Sequence, residues 1–228
     1  MKNILLGTGL LVIAATLCTV VSAQTQMPLP AQTTTYTGLG MRGYWFQAPT
    51  DFTITGARVP TDASSGDQTV EIVSFASQPT GTGITNFTPL FYQTGVAGTG
   101  VISTGNISVT SGTWIGIIGA RDTTAINSYA PNSYVSDIGG NSVTLTRLCA
   151  NSTPVTAQST NFFTNDASIG RVELYYILPN TAPSITSTAP TAAISGNAYT
   201  YTPTAIGSPA PSFSISPDPA TLGSGWLT

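Results

Sequence analysis

A series of short β-type segments between residues 31 and 178 constrains the fold more than any other feature of this sequence. The segments are rich in Thr, Val, Ile and aromatic residues, and clusters of Gly, Pro, Asn, Asp and Ser separate nearly all of them. No window holds the 3.6-residue apolar period of an amphipathic helix. The pattern predicts an all-β, antiparallel β-sandwich of about nine strands, and this many short strands favours a jelly-roll-like arrangement over an Ig-like one. The predicted strands cover residues 33–38, 42–48, 52–59, 69–76, 88–94, 107–110, 113–121, 142–148 and 171–178.

The N-terminus predicts export. A single Lys2 precedes an apolar stretch over residues 4–21, and the small residues Ser22 and Ala23 then lead into a polar segment. This layout is typical of a secretory signal peptide over residues 1–23, whose removal leaves no membrane span and makes the mature chain secreted or cell-surface. Two alternatives stay open: an uncleaved anchor, because the run is nearly the roughly 20 residues that span a bilayer, and a lipoprotein acceptor at Cys18.

Composition excludes several classes of function. Once Lys2 is removed, the chain has neither lysine nor histidine, and five arginines face nine carboxylates, for a net charge of about −4. A basic stripe that could neutralise phosphates is absent, so we expect no nucleic-acid partner. The hydrophobic content of 41% suffices for a packed core, so the chain is not a disordered stalk.

One cysteine remains after the signal peptide. Cys149 follows a predicted strand, and no intrachain disulfide can form. We expect it to be a small buried hydrophobe, with an intermolecular bridge as the alternative.

The C-terminal residues resemble a known family. After a predicted linker at 179–184, "PNTAPS", residues 185–228 contain "SGNAYTYTPTAIGSPAPSFSIS". With "PSITSTAP" at 183–190, this segment resembles the Ig-like domains that occur in tandem in bacterial surface proteins. A complete Ig-like sandwich takes about 100 residues, so the resemblance implies that residues 185–228 are the N-terminal part of such a domain, truncated at residue 228.

A second resemblance covers residues 36–178. The runs "YWFQAPTDFTITGARVPTDASSGDQTVEIVSF", "GTWIGIIGARDTTAINSYAP" and "RVELYYI" are similar to an uncharacterised N-terminal β-domain of secreted, modular proteins from Bacteroidetes-like bacteria. The resemblance implies export and modularity and supplies no active site.

Few catalytic chemistries are open to this chain. Without histidine, and with one mature cysteine, neither a zinc site nor a Ser–His or Cys–His arrangement can be built. Paired carboxylates remain, and Glu71 and Glu173 could flank one cleft if their strands were neighbours. The alternative is structural: each glutamate pairs across the sheet with an arginine such as Arg58 or Arg171.

Calcium is the one cofactor compatible with the composition, because it needs only oxygen ligands. Asp62 and Asp67 flank the loop "TDASSGDQ" and are weak candidate ligands. A plain polar hairpin loop is the favoured interpretation.

Aromatic residues are the candidate ligand contacts. Because side chains alternate along a strand, Tyr44 and Phe46 share one face and Trp45 takes the other, so they cannot form one flat platform. Tyr129 and Tyr134 lie in "INSYAPNSY", which we predict to be an exposed loop. The candidate ligand-binding residues are therefore Tyr129, Tyr134 and Trp45. Trp114, inside "TWIGIIG", is predicted to be buried.

These observations favour a non-catalytic extracellular structural or adhesive module that contacts an extracellular glycan or a surface protein. A carbohydrate-binding module accessory to a secreted enzyme is the alternative. A glycoside hydrolase that uses Glu71 and Glu173 is a third and less favoured interpretation.

Overall fold

The structure is a computed structural model, and it describes residues 23–150, 155–189, 201–208 and 211–213. The predicted signal peptide, apart from Ala23, and most of the predicted Ig-like segment lie outside these residues. The described residues form strands, turns and bends and contain no helix. Accordingly, this part of the chain has no helix that is long and apolar enough to cross a membrane.

One compact unit comprises Ser22–Pro179. Its described residues form fourteen strands, and the nine predicted segments each overlap one of them. The strands are β1 (Thr25–Gln26), β2 (Thr34–Thr37), β3 (Arg42–Gln47), β4 (Phe52–Arg58), β5 (Gln68–Phe75), β6 (Phe87–Val96), β7 (Ile102–Val109), β8 (Trp114–Arg121), β9 (Ile126–Ala130), β10 (Tyr134–Ile138), β11 (Asn141–Ala150), β12 (Phe162–Phe163), β13 (Ile169–Gly170) and β14 (Glu173–Ile177).

The strands form two sheets in which every pairing is antiparallel. The smaller sheet has the order β1-β14-β4-β7. The larger sheet has ten strands with the main order β10-β11-β3-β8-β5-β6, and β2, β9, β12 and β13 pair along it. The prediction of an all-β, antiparallel β-sandwich is confirmed.

The main core lies between the two sheets. Alternate residues of the larger sheet point into it, including Tyr44 and Phe46 of β3 and Ile117 of β8. The smaller sheet contributes residues such as Phe52 and Ile54. We call this side of the larger sheet its inner face. Burial of these side chains is the principal stabilising term, at about 25 cal/mol per Å² of apolar surface.

The other side of the larger sheet, its outer face, carries a second core. Trp45, Ile118 and Leu148 lie there, on the residues that alternate with the inner set. Val155 and Phe162, from the segment that follows β11, cover part of this face. Both faces of the central strands are therefore apolar, which explains why "TWIGIIG" has no polar alternation.

The described residues after Pro179 belong to a second unit. They include an antiparallel ribbon of β15 (Thr181–Ile185) and β16 (Ala205–Ser208). Residues 181–184, which we predicted to be linker, lie in β15, because their pairing partner is some 20 residues away in sequence, beyond the reach of local composition.

Candidate functional site

Trp45 lies where strand alternation places it. Tyr44 and Phe46 belong to the main core and Trp45 to the second core, so the predicted division of the three aromatics between two faces is confirmed. The indole N–H of Trp45 donates to the Thr164 hydroxyl at 3.2 Å. With 7% of its surface exposed, Trp45 can support a ligand platform and can offer little contact area itself.

The predicted exposure of Tyr129 is wrong. Tyr129 lies in β9, which pairs with β2 and β13, and it is only 7% exposed. Its ring stacks on Tyr36 with centroids 5.3 Å apart, and the guanidinium of Arg147 lies 5.3 Å from its centroid. Polar and small residues in "INSYA" suggested a loop, but long-range pairing on both sides makes the segment a strand. Tyr129 is therefore a packing residue.

Tyr134 also lies in a strand rather than in a loop. It begins β10, is partly buried, and packs against the main core. Its backbone pairs with Leu145 of β11. The structure therefore does not bring Tyr129, Tyr134 and Trp45 together at one surface.

Of the two calcium candidates, Asp62 uses its carboxylate within the fold, and Asp67 contributes a backbone contact. The Asp62 carboxylate forms an ion pair with Arg171, and the Asp67 carbonyl accepts a hydrogen bond from the Asp122 amide at 2.8 Å. Nowhere in the described ranges do three or more Asp, Glu, His or Cys side chains come together as a metal site would require.

Glu173 forms the structural pair that we predicted with Arg58. The two residues face each other across β14 and β4, and the guanidinium donates to both carboxylate oxygens at 2.5 and 2.8 Å. The Tyr175 hydroxyl also donates to the carboxylate, at 2.8 Å. Burial together with this hydrogen bond raises the pKa of Tyr175 to about 12.

Glu71 behaves differently, and the predicted arginine partner is wrong for it. Its side chain is fully buried on the outer face, where the Ser159 amide donates to Oε2 at 3.1 Å. Oε1 has no hydrogen-bond partner in the described part of the chain. Burial raises the pKa of the Glu71 carboxyl. Glu71 lies in β5 of the larger sheet and Glu173 in β14 of the smaller sheet, so their strands are not the neighbours that a shared cleft required.

The raised pKa of Glu71 gives a pH-dependent prediction. The pKa of this carboxyl is higher in the folded protein than in the unfolded chain, where it is near 4.5. The carboxyl therefore contributes its full stability below the unfolded pKa, and this contribution is lost as the pH rises through the folded pKa. We expect the Glu71→Gln variant to be more stable than wild type at neutral pH, by about 1 kcal/mol or more, because the neutral amide avoids the cost of placing a carboxyl with a raised pKa in this buried site. Urea unfolding between about pH 4 and pH 8 measures this difference.

The matched control for this experiment is Glu173→Gln, which removes one partner of an ion pair and is expected to destabilise the protein at neutral pH. A Glu71→Gln variant that is less stable than wild type across the whole pH range would contradict this account of Glu71.

The remaining thiol is structural. Cys149 is free and fully buried, as expected, near the end of β11. Burial raises the pKa of its thiol, which disfavours the reactive thiolate.

An open groove on the outer face is the candidate binding site. It has a volume of about 380 Å³, and we call it the tryptophan groove. Two tryptophans from neighbouring strands form its apolar side, and residues of β11 form the opposite side. Its lining residues are Trp45, Gln47, Ala48, Pro49, Trp114, Ser142, Val143 and Thr144.

Strand register explains why these side chains meet. Trp114 opens β8 opposite Gln47 of β3, and Trp45 lies opposite Thr146 of β11. Directly paired residues of an antiparallel ladder share a face, so Thr144, two residues from Thr146, is on the same face. Most of the groove is therefore built on paired strands, and Ala48 and Pro49 follow the end of β3.

Trp114 is the exposed aromatic of the groove. The rings of Trp114 and Trp45 meet edge to face, with centroids 5.4 Å apart and an interplanar angle of 66°. Trp114 is only partly buried, in contrast to our prediction. It is the first residue of β8, directly opposite Phe75 of β5, and it packs against the second core while keeping part of its ring exposed.

The chain has no match among protein-family models, curated proteins or solved structures.

Sequence reasoning missed Trp114, Gln47, Ser142 and Thr144 as site residues. The available signal was the start of the strand: Trp114 follows the turn "SGT", and an aromatic at a strand end is less covered than one in the middle. Amino-acid composition does not predict that β3 pairs with β11. This pairing brings the polar residues of β11 to the groove.

Proposed function

We propose that this chain is a non-catalytic extracellular module that works by adhesion through the outer face of its larger sheet. The observation that carries the proposal is the tryptophan groove, in which a partly exposed ring, Trp114, stands beside the exposed polar side chains of Gln47 and Thr144. Strands β3, β8 and β11 carry Trp45, Trp114 and Thr144, so this part of the surface needs little ordering when a partner binds.

The carboxylates give no comparable support for hydrolysis. Glu173 is held by Arg58 and Tyr175, and Glu71 is buried beneath the segment that contains Ser159. Glycosidases need two carboxyl groups on either side of one cleft, about 5–10 Å apart. The strand order puts these two glutamates in separate sheets.

A carbohydrate-binding module accessory to a secreted enzyme is the second candidate. The tryptophan groove supports this second candidate as well. An adhesive module and an accessory carbohydrate-binding module differ in what the module is attached to and not in how the groove binds.

The test combines retention with product analysis. The full chain is passed over immobilised extracellular polysaccharides and surface proteins, and the eluate is assayed for newly formed reducing ends. We expect retention on at least one surface and no product. Product that disappears in a Glu71→Gln or Glu173→Gln variant would overturn the proposal in favour of hydrolysis.

A further inference from the structure

We infer that the tryptophan groove binds a neutral carbohydrate, with Trp114 as its stacking surface and Gln47 and Thr144 as its hydrogen-bonding groups. This inference rests on the proposed adhesive function and assigns the ligand class of that site.

The aromatic part of the groove is preorganised. Trp45 is fixed by the bond from its indole N–H to Thr164, whose hydroxyl in turn donates to the Arg147 carbonyl at 2.7 Å. Trp114 packs edge to face on this fixed ring. A partly exposed indole that packs on a hydrogen-bonded neighbour offers a large amphipathic contact area at low entropic cost. The C–H face of a sugar ring is the complementary surface.

The polar part of the groove has unused hydrogen-bonding capacity. Within the described residues, the Trp114 indole N–H and the hydroxyls of Ser142 and Thr144 make no hydrogen bond. The Gln47 amide nitrogen donates to the Gly112 carbonyl at 3.0 Å, which leaves its carbonyl oxygen able to accept. Donors and acceptors therefore lie on both sides of the groove, as a polyhydroxylated ligand requires.

Charge selects a neutral ligand. The residues that line the groove include no charged side chain. Asp137 lies on the adjacent strand β10, directly opposite Ser142 of β11, and puts a carboxylate at the rim of the groove. This carboxylate accepts a hydrogen bond from the Gly140 amide at 2.9 Å. An anionic glycan would meet like charge there and no cation in the groove.

Size and shape agree with this class of ligand. A volume of about 380 Å³ falls within the roughly 300–1,000 Å³ of small-molecule sites. The groove is open to solvent, so a longer glycan chain can cross it with one or a few of its units in contact.

The experiment measures binding of the full chain to three immobilised probes: neutral polysaccharides (glucan, mannan and galactan), an acidic polysaccharide (polygalacturonate) and extracellular matrix protein. Trp114→Ala is expected to weaken neutral-glycan binding about tenfold or more, as loss of a central aromatic contact does. Thr144→Val, an exposed change that leaves the core intact, is expected to weaken it about threefold. Leu39→Ala, which alters an exposed apolar residue (74% exposed) outside the groove, is the control and should bind as wild type does.

The outcomes separate this inference from the proposed function. Neutral-glycan binding that falls in both groove variants and persists in Leu39→Ala supports it. Glycan binding that is unchanged in both groove variants overturns the groove assignment and leaves adhesion standing. Binding to protein or polygalacturonate alone overturns the ligand class. Absence of binding to all three probes overturns the inference, and product release from a polysaccharide overturns the non-catalytic proposal as well.

Discussion

Replacing Arg121 with Met is expected to lower the free energy of unfolding by about 3–5 kcal/mol, a large part of the 5–15 kcal/mol that stabilises a typical domain. Arg121 is completely buried at the end of β8 and forms no ion pair with the described residues. Its guanidinium instead donates to backbone carbonyls from three separate segments, those of Val59 and Pro60, of Gly66 and of Gly98.

The physical reason is that one side chain satisfies the carbonyls of the buried residues Val59 and Pro60 and also bonds to the carbonyls of Gly66 and Gly98. Burial lowers the pKa of Arg121, so the charge is costly and is retained only because its donors are used. A methionine fills similar space and donates nothing, which leaves the Val59 and Pro60 carbonyls without this donor at about 1–3 kcal/mol each. Urea unfolding followed by tryptophan fluorescence measures the loss.

Arg121→Lys is the matched control. It keeps the charge but offers a single compact donor group in place of a planar fork, so we expect it to recover less than half of the loss. Full recovery in Arg121→Lys would show that charge, and not the fork of donors, is what the fold requires.

Replacing Gly43 with Ala is expected to cost about 3 kcal/mol or more, or to prevent accumulation of folded protein. A Cβ at Gly43 would lie 1.9 Å from the Ile117 carbonyl oxygen and 2.7 Å from the Ile118 Cα. Both atoms are backbone of β8, the strand that pairs with β3, so a rotamer change cannot relieve the overlap. The two strands would have to separate, which disturbs both cores.

Gly100→Ala is the control for this prediction, because a Cβ there has nothing within 4 Å. Thermal unfolding of the two variants beside wild type is the measurement. A Gly43→Ala variant as stable as Gly100→Ala would contradict the close approach of β3 and β8.

The parts of the fold that could be predicted follow from local rules. The two-residue period of a strand places Tyr44 and Phe46 opposite Trp45 whatever the strand later pairs with. The scarcity of cations in the sequence makes an Arg58–Glu173 pair a natural expectation, and the register of β4 with β14 brings it about.

The remaining features depend on contacts that are distant in sequence. Tyr129 is buried because β2 and β13 flank its strand, and the composition of "INSYA" carries no sign of either. Glu71 lacks an arginine because Ser159, 88 residues away, covers it. Trp114 is partly exposed because Phe162 and its neighbours cover only part of the outer face.

Together these observations distinguish polar groups that are used within the fold from polar groups that can contact a ligand. Arg121, Arg58 and Glu173 are used within the fold. In the tryptophan groove, the hydroxyls of Ser142 and Thr144 make no hydrogen bond to the described residues, and the Gln47 carbonyl oxygen can still accept one. This contrast makes the groove the centre of the proposed function.

The most direct test is an NMR titration of the uniformly ¹⁵N-labelled full chain with a soluble neutral oligosaccharide. The sequence has three tryptophans, so their indole N–H signals are few and readily assigned. We predict that the largest shifts occur at the Trp114 indole N–H, the Gln47 side-chain amide and the Thr144 backbone. Shifts centred instead on Tyr129, or on Glu71 and Glu173, with the Trp114 signal unmoved, would contradict binding at the tryptophan groove.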